Sequence, residues 1–398
     1  MASMTLLVFL LILSFLVLIH ELGHLVAALI FKVKVEEFGI GYPPRAKLLF
    51  KKWGIEFSLN WLPFGGFVRL LGEERSEEGI RVVEKVQKWV PLLKRGSNND
   101  WGVFYGKRKW QRIVIIVAGA AMNFVFGVLA FSVVYSVVGI PTTLTGVEVS
   151  EVMDPSPAAD AGLMTGDVVI GLERADQKIQ ISDVDQFVVD LKQIRGETVI
   201  LEVLRDGQQQ MVPVYVRTDA EIPEGQGSIG VAITERVELV KSSWWLRPWQ
   251  GMWEGLKAAV TFGVVIVMAL WSMVKQVFTA GTVPADVSGP VGIVYTASKE
   301  GILKEGWIAV LHFAGILSIN LAIVNVLPVP ALDGGRVLFI LLEKVMGDKF
   351  KPTFEHYANV VGFALLLTLI MLVSLRDVGV IFRDFGIGIG SFTKMFGG

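Results

Sequence analysis

The sequence predicts a polytopic α-helical membrane protein that also carries polar, β-structured regions. Hydrophobic residues make up 53% of the 398 residues, and the mean hydropathy is +0.56, which is too apolar for a soluble protein. The apolar residues are concentrated in stretches that are long enough to be considered as membrane segments. These stretches are residues 4–31, 113–138, 258–274, 307–327 and 360–375.

Charge and cysteine content exclude several classes of function. The formal net charge is −1, so nothing indicates a nucleic-acid partner. The chain has no cysteine, which excludes disulfides, thiolate metal sites and cysteine nucleophiles. A zinc ion would therefore have to be held by histidine and carboxylate side chains.

The two long polar regions carry opposite charge and predict the orientation in the membrane. Residues 32–111 contain 16 Lys and Arg against nine Asp and Glu, whereas residues 140–250 contain nine against 18. The positive-inside rule places the first region in the cytoplasm and the second outside. The N-terminus is then extracytoplasmic. We expect residues 1–31 to be a retained transmembrane helix, because no basic segment precedes it and no small-residue cleavage site follows.

The first apolar segment contains the motif HELGH at residues 20–24. Ionisable side chains at bilayer depth are costly and are usually kept for function. On a helix, positions i and i+4 share a face, so His20 and His24 can bind one metal ion. Glu21 can then act as general base toward a water on that metal. The motif therefore predicts a metalloprotease that works inside the membrane.

Two histidines do not complete a catalytic zinc site, which usually has three protein ligands. Asp333 is a better third candidate than His312 or His356. It follows the fourth apolar stretch, within the segment NVLPVPALDGGR of residues 325–336. Two prolines end the helix there, and the glycines let the backbone approach other elements closely. Asp333 can then point at the metal from a non-helical turn.

The polar region after the first helix is β-like over residues 32–72, where short apolar runs are broken by glycine and proline. Residues 60–67 are very apolar for a cytoplasmic loop. They form either a hairpin with a small core of its own or a hairpin that dips into the bilayer beside the metal site. In the second case, the free edge around Gly65, Gly66 and Phe67 could hold a substrate as an added strand.

Residues 142–217 are expected to form a soluble α+β module outside the membrane. The runs SPAADAGL and GDVV, at residues 156–163 and 166–169, resemble a PDZ domain of the bacterial protease type. Such domains bind extended peptide at a sheet edge, so the resemblance implies a peptide or a periplasmic part of the substrate as ligand.

HELGH in the first helix, NVLPVPALDGG after a later one and the PDZ-like module between them together resemble the site-2 protease family of intramembrane zinc metalloproteases. The stretches VAGAAMNF and SGPVG, at residues 117–124 and 288–292, are similar to further motifs of that family. Ala120 stands where the family usually has proline, which concerns the bend of the second helix and not the chemistry.

The resemblance also implies roles for single residues. His20, His24 and Asp333 fall on the family's Zn²⁺ ligands, and Glu21 falls on its catalytic base. The resemblance further implies that two asparagines contact the substrate backbone. These are Asn325, in the NxxPxPxxDG pattern, and Asn320 before it.

A parity argument sets the expected number of crossings at about four. The metal-binding histidines lie in the cytoplasmic half of an outside-to-inside helix, and Asp333 follows the C-terminal end of its own helix. The two ends meet only if an odd number of crossings separates them. We therefore expect residues 258–274, which tryptophans flank, to lie at the interface without spanning.

The predicted organisation follows the chain in order. The segments are transmembrane helix 1 at 1–31, a cytoplasmic region with membrane-dipping β-hairpins at 32–111 (charged surface helices over 73–110), helix 2 at 112–139, the PDZ-like domain at 142–217, a linker with interfacial amphipathic helices at 218–281, helix 3 at 307–336, helix 4 at 357–376 and a C-terminal tail at 377–398.

The resemblance implies site-2 cleavage of single-span membrane proteins, such as anti-sigma factors or signal-peptide remnants. The expected location is the bacterial cytoplasmic membrane, with the lipid bilayer and the transmembrane helix of a substrate as partners. Two alternatives stay open. A metal-dependent transporter would show repeated halves and more spans, and a non-catalytic PDZ scaffold would not need Glu21.

Overall fold

The computed structural model describes residues 2–73, 102–174, 177–223, 225–280, 288–347 and 352–384. The chain divides into two compact units. The first comprises Met1–Ser136 and Pro248–Gly398, and the second comprises Val137–Arg247. The charged helices predicted over residues 73–110 fall largely outside the described residues, as does most of the predicted C-terminal tail.

Long helices dominate the first unit because its apolar stretches contain few helix-breaking residues. The helices of the described chain are α1 (Ala2–Ile30), α2 (Lys109–Val138), α3 (Pro157–Asp160), α4 (Val184–Gln193), α5 (Arg247–Ala280), α6 (Pro290–Lys299), α7 (Trp307–Val326), α8 (Asp333–Met346) and α9 (Pro352–Asp384).

Five of the described helices are long and apolar enough to cross a membrane. They are Met4–Ile30, Lys109–Val138, Arg247–Gln276, Trp307–Val326 and Thr353–Asp384. The protein is therefore a multi-pass membrane protein of mixed helical and sheet structure. Helix α5 meets the length criterion, and our parity argument that it does not cross stays a prediction.

Helix α9 extends well beyond the predicted end of the last transmembrane helix at residue 376. Hydropathy predicts that the segment ends where the first charged residues, Arg376 and Asp377, begin. The side chain of Asp377 is nevertheless buried, with only 5% of the residue exposed. Its Oδ2 accepts the backbone N–H groups of Gly289 and Gly292, each at 2.9 Å. Because the start of α6 satisfies this carboxylate, the helix can continue through it to Asp384.

Strands β1 (Val35–Lys52) and β2 (Ile55–Leu70) pair antiparallel next to α1. Residues 37–40 are paired both with residues 56–59 and with residues 66–69, whereas residues 67–70 have partners only in β1. Residues 67–70 therefore form one edge of this sheet.

Close backbone contacts hold α1 and α2 together. A Cβ atom at Gly23 would lie 2.2 Å from the carbonyl oxygen of Ala118, so no side chain fits there. Small residues allow such approach in membrane bundles, where packing rather than water exclusion drives helix association. A buried core that includes Leu25, Val33 and Ile115 joins the sheet to both helices.

The second unit is a six-stranded sheet with two short helices. Its strands are β3 (Ile140–Val152), β4 (Val168–Arg174), β5 (Gln177–Gln180), β6 (Thr198–Arg205), β7 (Gln208–Tyr215) and β8 (Val231–Val240). The strand order is β7-β6-β4-β3-β8, with β5 beside β4. Ser156 and Asp183 cap α3 and α4 by accepting backbone N–H groups. Apolar side chains of the strands and of α4 form its core, which includes Phe187, Leu172 and Leu201.

Candidate metal centre and active site

Helix α1 carries the HELGH motif with both imidazoles on one face. His20 and His24 are one turn apart, and their Nε2 atoms are 3.2 Å from each other. His20 is only 8% exposed, although the helix around it is apolar. Burial of two imidazoles side by side requires a compensating partner, which a metal ion or a carboxylate can supply.

Asp333 supplies that partner as the first residue of α8, directly after the turn, and not from a non-helical turn as the sequence predicted. Helix α7 ends at Val326, the next residues include two prolines, and α8 begins with Asp333 itself. The Oδ2 atom of Asp333 lies 2.9 Å from Nε2 of His20 and 3.2 Å from Nε2 of His24. The turn thus brings a carboxylate from 313 positions away onto the histidine pair.

The glycines after Asp333 let this turn fold tightly. A Cβ atom at Gly334 would lie 2.2 Å from the carbonyl oxygens of Val326 and Leu327. A Cβ atom at Gly335 would lie 2.3 Å from the carbonyl oxygen of Val329. Any larger residue at either position would therefore push Asp333 away from the histidines.

The three side chains fit a zinc ion. Their ligand atoms all lie within 4.8 Å of one another. Ligands about 2.1 Å from a tetrahedral zinc ion are about 3.4 Å apart, close to the separations found between His20, His24 and Asp333. Nitrogen and carboxylate oxygen are also ligand types that zinc accepts, and three protein ligands leave a fourth position open for water.

Backbone and side-chain groups of α2 orient the two imidazoles. The Nδ1 atom of His24 is 2.9 Å from the carbonyl oxygen of Ile115, to which it donates when Nε2 is the metal ligand. The Nδ1 atom of His20 faces the amide of Asn123 at 3.5 Å. Within the described residues, Oδ1 of Asn123 is buried without a hydrogen-bond partner. A 180° turn of that amide lets Oδ1 accept the His20 Nδ1–H, which leaves Nε2 for the metal.

Gly119 on α2 is a site residue that the motif search did not single out. A Cβ atom there would lie 2.5 Å from Nε2 of His24 and 2.7 Å from Nε2 of His20. Glycine thus leaves space for a metal ion that both imidazoles bind. The run of small residues in VAGAAMNF, at residues 117–124, is the sequence signal for this close approach.

Glu21 faces the edge of the β1–β2 sheet. Its Oε2 atom accepts the backbone N–H of Val68 at 3.0 Å. A Cβ atom at Gly66 would lie 2.8 Å from Cδ2 of Leu18 and 3.8 Å from Cγ of Glu21, so β2 runs directly against α1 here. The predicted base is therefore held by the strand that was predicted to contact substrate.

A cavity of about 140 Å³ joins these features. It is lined by Glu21, His24, Phe67, Val68, Leu70, Glu73, Phe104, Ile115, Ile116, Asp333 and Arg336. Metal-ligating, proton-accepting and strand-edge groups thus share one space.

The other predicted substrate contacts lie on two different elements. Gly65 has φ +69°, and a Cβ atom there would lie 2.9 Å from the ring of Tyr42. Phe67 lines the cavity. Asn320 and Asn325 are half-buried on α7, and neither side chain has a hydrogen-bond partner in the described part of the chain.

The remaining histidines are not part of this site. The ring of His312 lies 5.4 Å from that of Phe131, and the ring of His356 lies 5.8 Å from that of Tyr357. Neither belongs to a described group of side chains that could hold a metal.

The fold and the site define a metallopeptidase built among apolar helices. Comparison with protein families matches residues 8–369 to Peptidase family M50, and the chain belongs to this family, that of the site-2 proteases.

Relatives along nearly the whole chain agree with this assignment. A relative from Clostridium perfringens that is named as a zinc metalloprotease is 30% identical over 369 residues. The match covers 92% of this chain and 96% of the relative. One from Clostridium acetobutylicum is 27% identical over 366 residues, covering 91% and 94%. The regulator of sigma-W protease RasP of Bacillus subtilis is 26% identical over 441 aligned positions, covering 94% and 98%. The protein is thus a zinc metalloprotease of the membrane.

Proposed function

We propose that this protein hydrolyses a peptide bond within the transmembrane segment of single-span membrane proteins, using His20, His24 and Asp333 as zinc ligands. The convergence of these three side chains within 4.8 Å is the observation that carries the proposal. Bound zinc would polarise the scissile carbonyl and lower the pKa of a water molecule.

Glu21 is proposed as the general base. It neighbours a ligand on the same helix turn, and it lines the same cavity as His24 and Asp333. It would take a proton from the attacking water and pass it to the leaving amine. The Val68 N–H bond at 3.0 Å would hold the carboxylate in position for both transfers.

The substrate is proposed to bind as an extended strand. A transmembrane helix hides its carbonyl groups in internal hydrogen bonds, so it must unwind before attack. The sheet edge at residues 67–70 offers main-chain partners for an unwound segment. Gly65 and Gly66 let β2 lie close to Tyr42 and α1 beside the edge, and the unpartnered amides of Asn320 and Asn325 could bind the substrate backbone from α7.

Anti-sigma factors or signal-peptide remnants are the proposed substrate class. The sigma-W regulator among the relatives supports the first of these. Residues 142–217, within the second unit, are proposed to be a PDZ domain outside the bacterial inner membrane that binds extended peptide. Its short strands, the α4 helix and the GDVV run support this assignment.

Glu21→Gln tests the proposal directly. The variant and the unchanged protein would be purified in detergent, their zinc content measured, and each incubated with a single-span model substrate. We expect zinc retention with a loss of cleavage of at least about a hundredfold, since proton transfer is removed while the ligands remain. Glu36→Gln, a change outside the cavity lining, is the matched control and should cleave normally. Unchanged cleavage by Glu21→Gln would eliminate Glu21 as the base.

A reporter fused at residue 280 tests the number of crossings. If α5 does not span, this position is extracytoplasmic together with the second unit. A cytoplasmic reporter would contradict the four-crossing topology and with it our placement of α5.

A further inference from the structure

The edge strand at residues 67–70 has a defined inner and outer side. The N–H of Leu71 donates to the carbonyl oxygen of Lys34 at 2.9 Å, toward β1. Backbone groups of successive strand residues point to alternate sides, so the N–H groups of Val68 and Leu70 point outward. Within the described residues, no strand pairs with that outer side.

Carboxylates occupy both outward N–H groups. Val68 donates to Oε2 of Glu21 at 3.0 Å, and Leu70 donates to Oε2 of Glu73 at 3.1 Å. Each oxygen sits where the carbonyl oxygen of an added strand would have to sit. Glu21 already has a proposed role as the general base, but the proposed chemistry gives no role to Glu73.

Arg336 fixes the Glu73 carboxylate from the other wall of the cavity. Its Nη1 donates to Oε1 of Glu73 at 2.5 Å. Arg336 lies three residues after Asp333 on α8, so both side chains leave the same face of the helix. The first turn of α8 therefore presents one side chain to the histidines and another to the end of the substrate edge.

We propose that Glu73 is a built-in competitor for the substrate edge. In the free enzyme its carboxylate takes the place of a substrate carbonyl at Leu70, and Arg336 keeps it there. A substrate strand that extends to Leu70 must displace it, and Glu73 thereby weakens the binding of extended segments. The proposal rests on the proposed strand binding at residues 67–70.

Steady-state cleavage of the single-span substrate by zinc-loaded, full-length Glu73→Ala tests this. We expect KM to fall about two- to tenfold, the range that one hydrogen bond is worth, with a smaller change in kcat. Glu73→Gln has one oxygen for two donors, the Leu70 N–H and the Arg336 guanidinium, so its KM should fall less than that of Glu73→Ala. Glu56→Ala is the control. Glu56 lies on β2 away from the cavity and pairs with Arg45, so its removal should leave KM unchanged.

An unchanged or higher KM for Glu73→Ala, in a variant that retains zinc, would overturn the proposal. If Glu73→Ala does not retain zinc, Arg336→Met serves instead. It releases Glu73 from its anchor and should also lower KM, and an unchanged KM would contradict the competition. Failure of the proposed function would look different from failure of this proposal. In that case the unchanged protein would not cleave the substrate, or Glu21→Gln would still cleave it.

Discussion

Oδ1 of Asn359 accepts the backbone N–H of Ala331 across 3.0 Å, which joins the last helix to the turn that carries Asp333. Ala331 has φ +73°, a left-handed conformation that costs a non-glycine residue about 1 kcal/mol. Beside this bond, a Cβ atom at Gly362 would lie 2.6 Å from Cβ of Pro330. Helix α9 therefore holds the turn in a strained shape two residues before the ligand.

Asn359→Ala should loosen that turn and weaken zinc binding. We expect about a tenfold lower zinc affinity, as is typical when a group that orients a ligand is removed. The measurement is competition with a chelator of known affinity. Ala331→Gly in the same chain should restore part of the loss, since glycine adopts positive φ without strain. No rescue by Ala331→Gly would show that strain at Ala331 is not the cause.

Gly119→Ala should abolish metal binding while leaving α2 intact. The new methyl group would lie within 2.7 Å of Nε2 of both His20 and His24, so the rings must move apart. Zinc content of the purified variant and its cleavage rate are the measurements. Gly379→Ala is the matched control, because a Cβ atom there meets nothing within 4 Å. Full zinc content in Gly119→Ala would contradict the placement of the metal between the imidazoles.

Asn123→Ala should lower zinc affinity by about ten- to a hundredfold through loss of the group that orients His20. Asn123→Asp keeps an oxygen acceptor and should retain most of the affinity. Ser318→Ala is the control, because it removes only a hydrogen bond to the backbone carbonyl of Asn123. Equal loss in Ser318→Ala would indicate a general packing defect.

The second unit should lose stability at acid pH through Asp167. Burial alone would raise the pKa of its carboxyl, but the hydrogen bonds and charge of Arg205 and the N–H of Met164 outweigh it and lower the pKa. The stabilisation is therefore complete above the ordinary value near pH ~4 and is lost as pH falls through the lowered value.

Hydrogen exchange of the full-length protein, corrected for intrinsic rates, measures this effect in peptides that span β4 and β6. Asp167→Asn should exchange faster at neutral pH and respond less to acid. Glu197→Gln, which breaks the exposed pair with Arg174, should behave like the unchanged protein. An equal acid response in Asp167→Asn would rule out this carboxylate as the cause.

Local geometry explains which parts of the site could be predicted from the sequence. Helical spacing alone puts His20 and His24 on one face, and the two prolines alone indicate that the helix ends before Asp333. Both inferences need only a few neighbouring residues. The apolar stretches likewise predict α1, α2 and α7, because hydropathy acts over one helix at a time.

The features that could not be predicted depend on contacts between distant elements. Gly119 matters only because α1 places two imidazoles against it, and Val68 matters only because its outward N–H meets Glu21. The length of α9 was underestimated because the satisfied carboxylate of Asp377 is a tertiary contact.

The separation of the ligands has a consequence for synthesis. The histidine pair enters the membrane early, while Asp333 leaves the ribosome only after 313 further residues have followed His20. A nascent chain that stops between His24 and Asp333 holds both imidazoles but lacks the third ligand of the site, and two ligands are too few for a catalytic zinc ion. An unfinished chain therefore cannot assemble the catalytic zinc site.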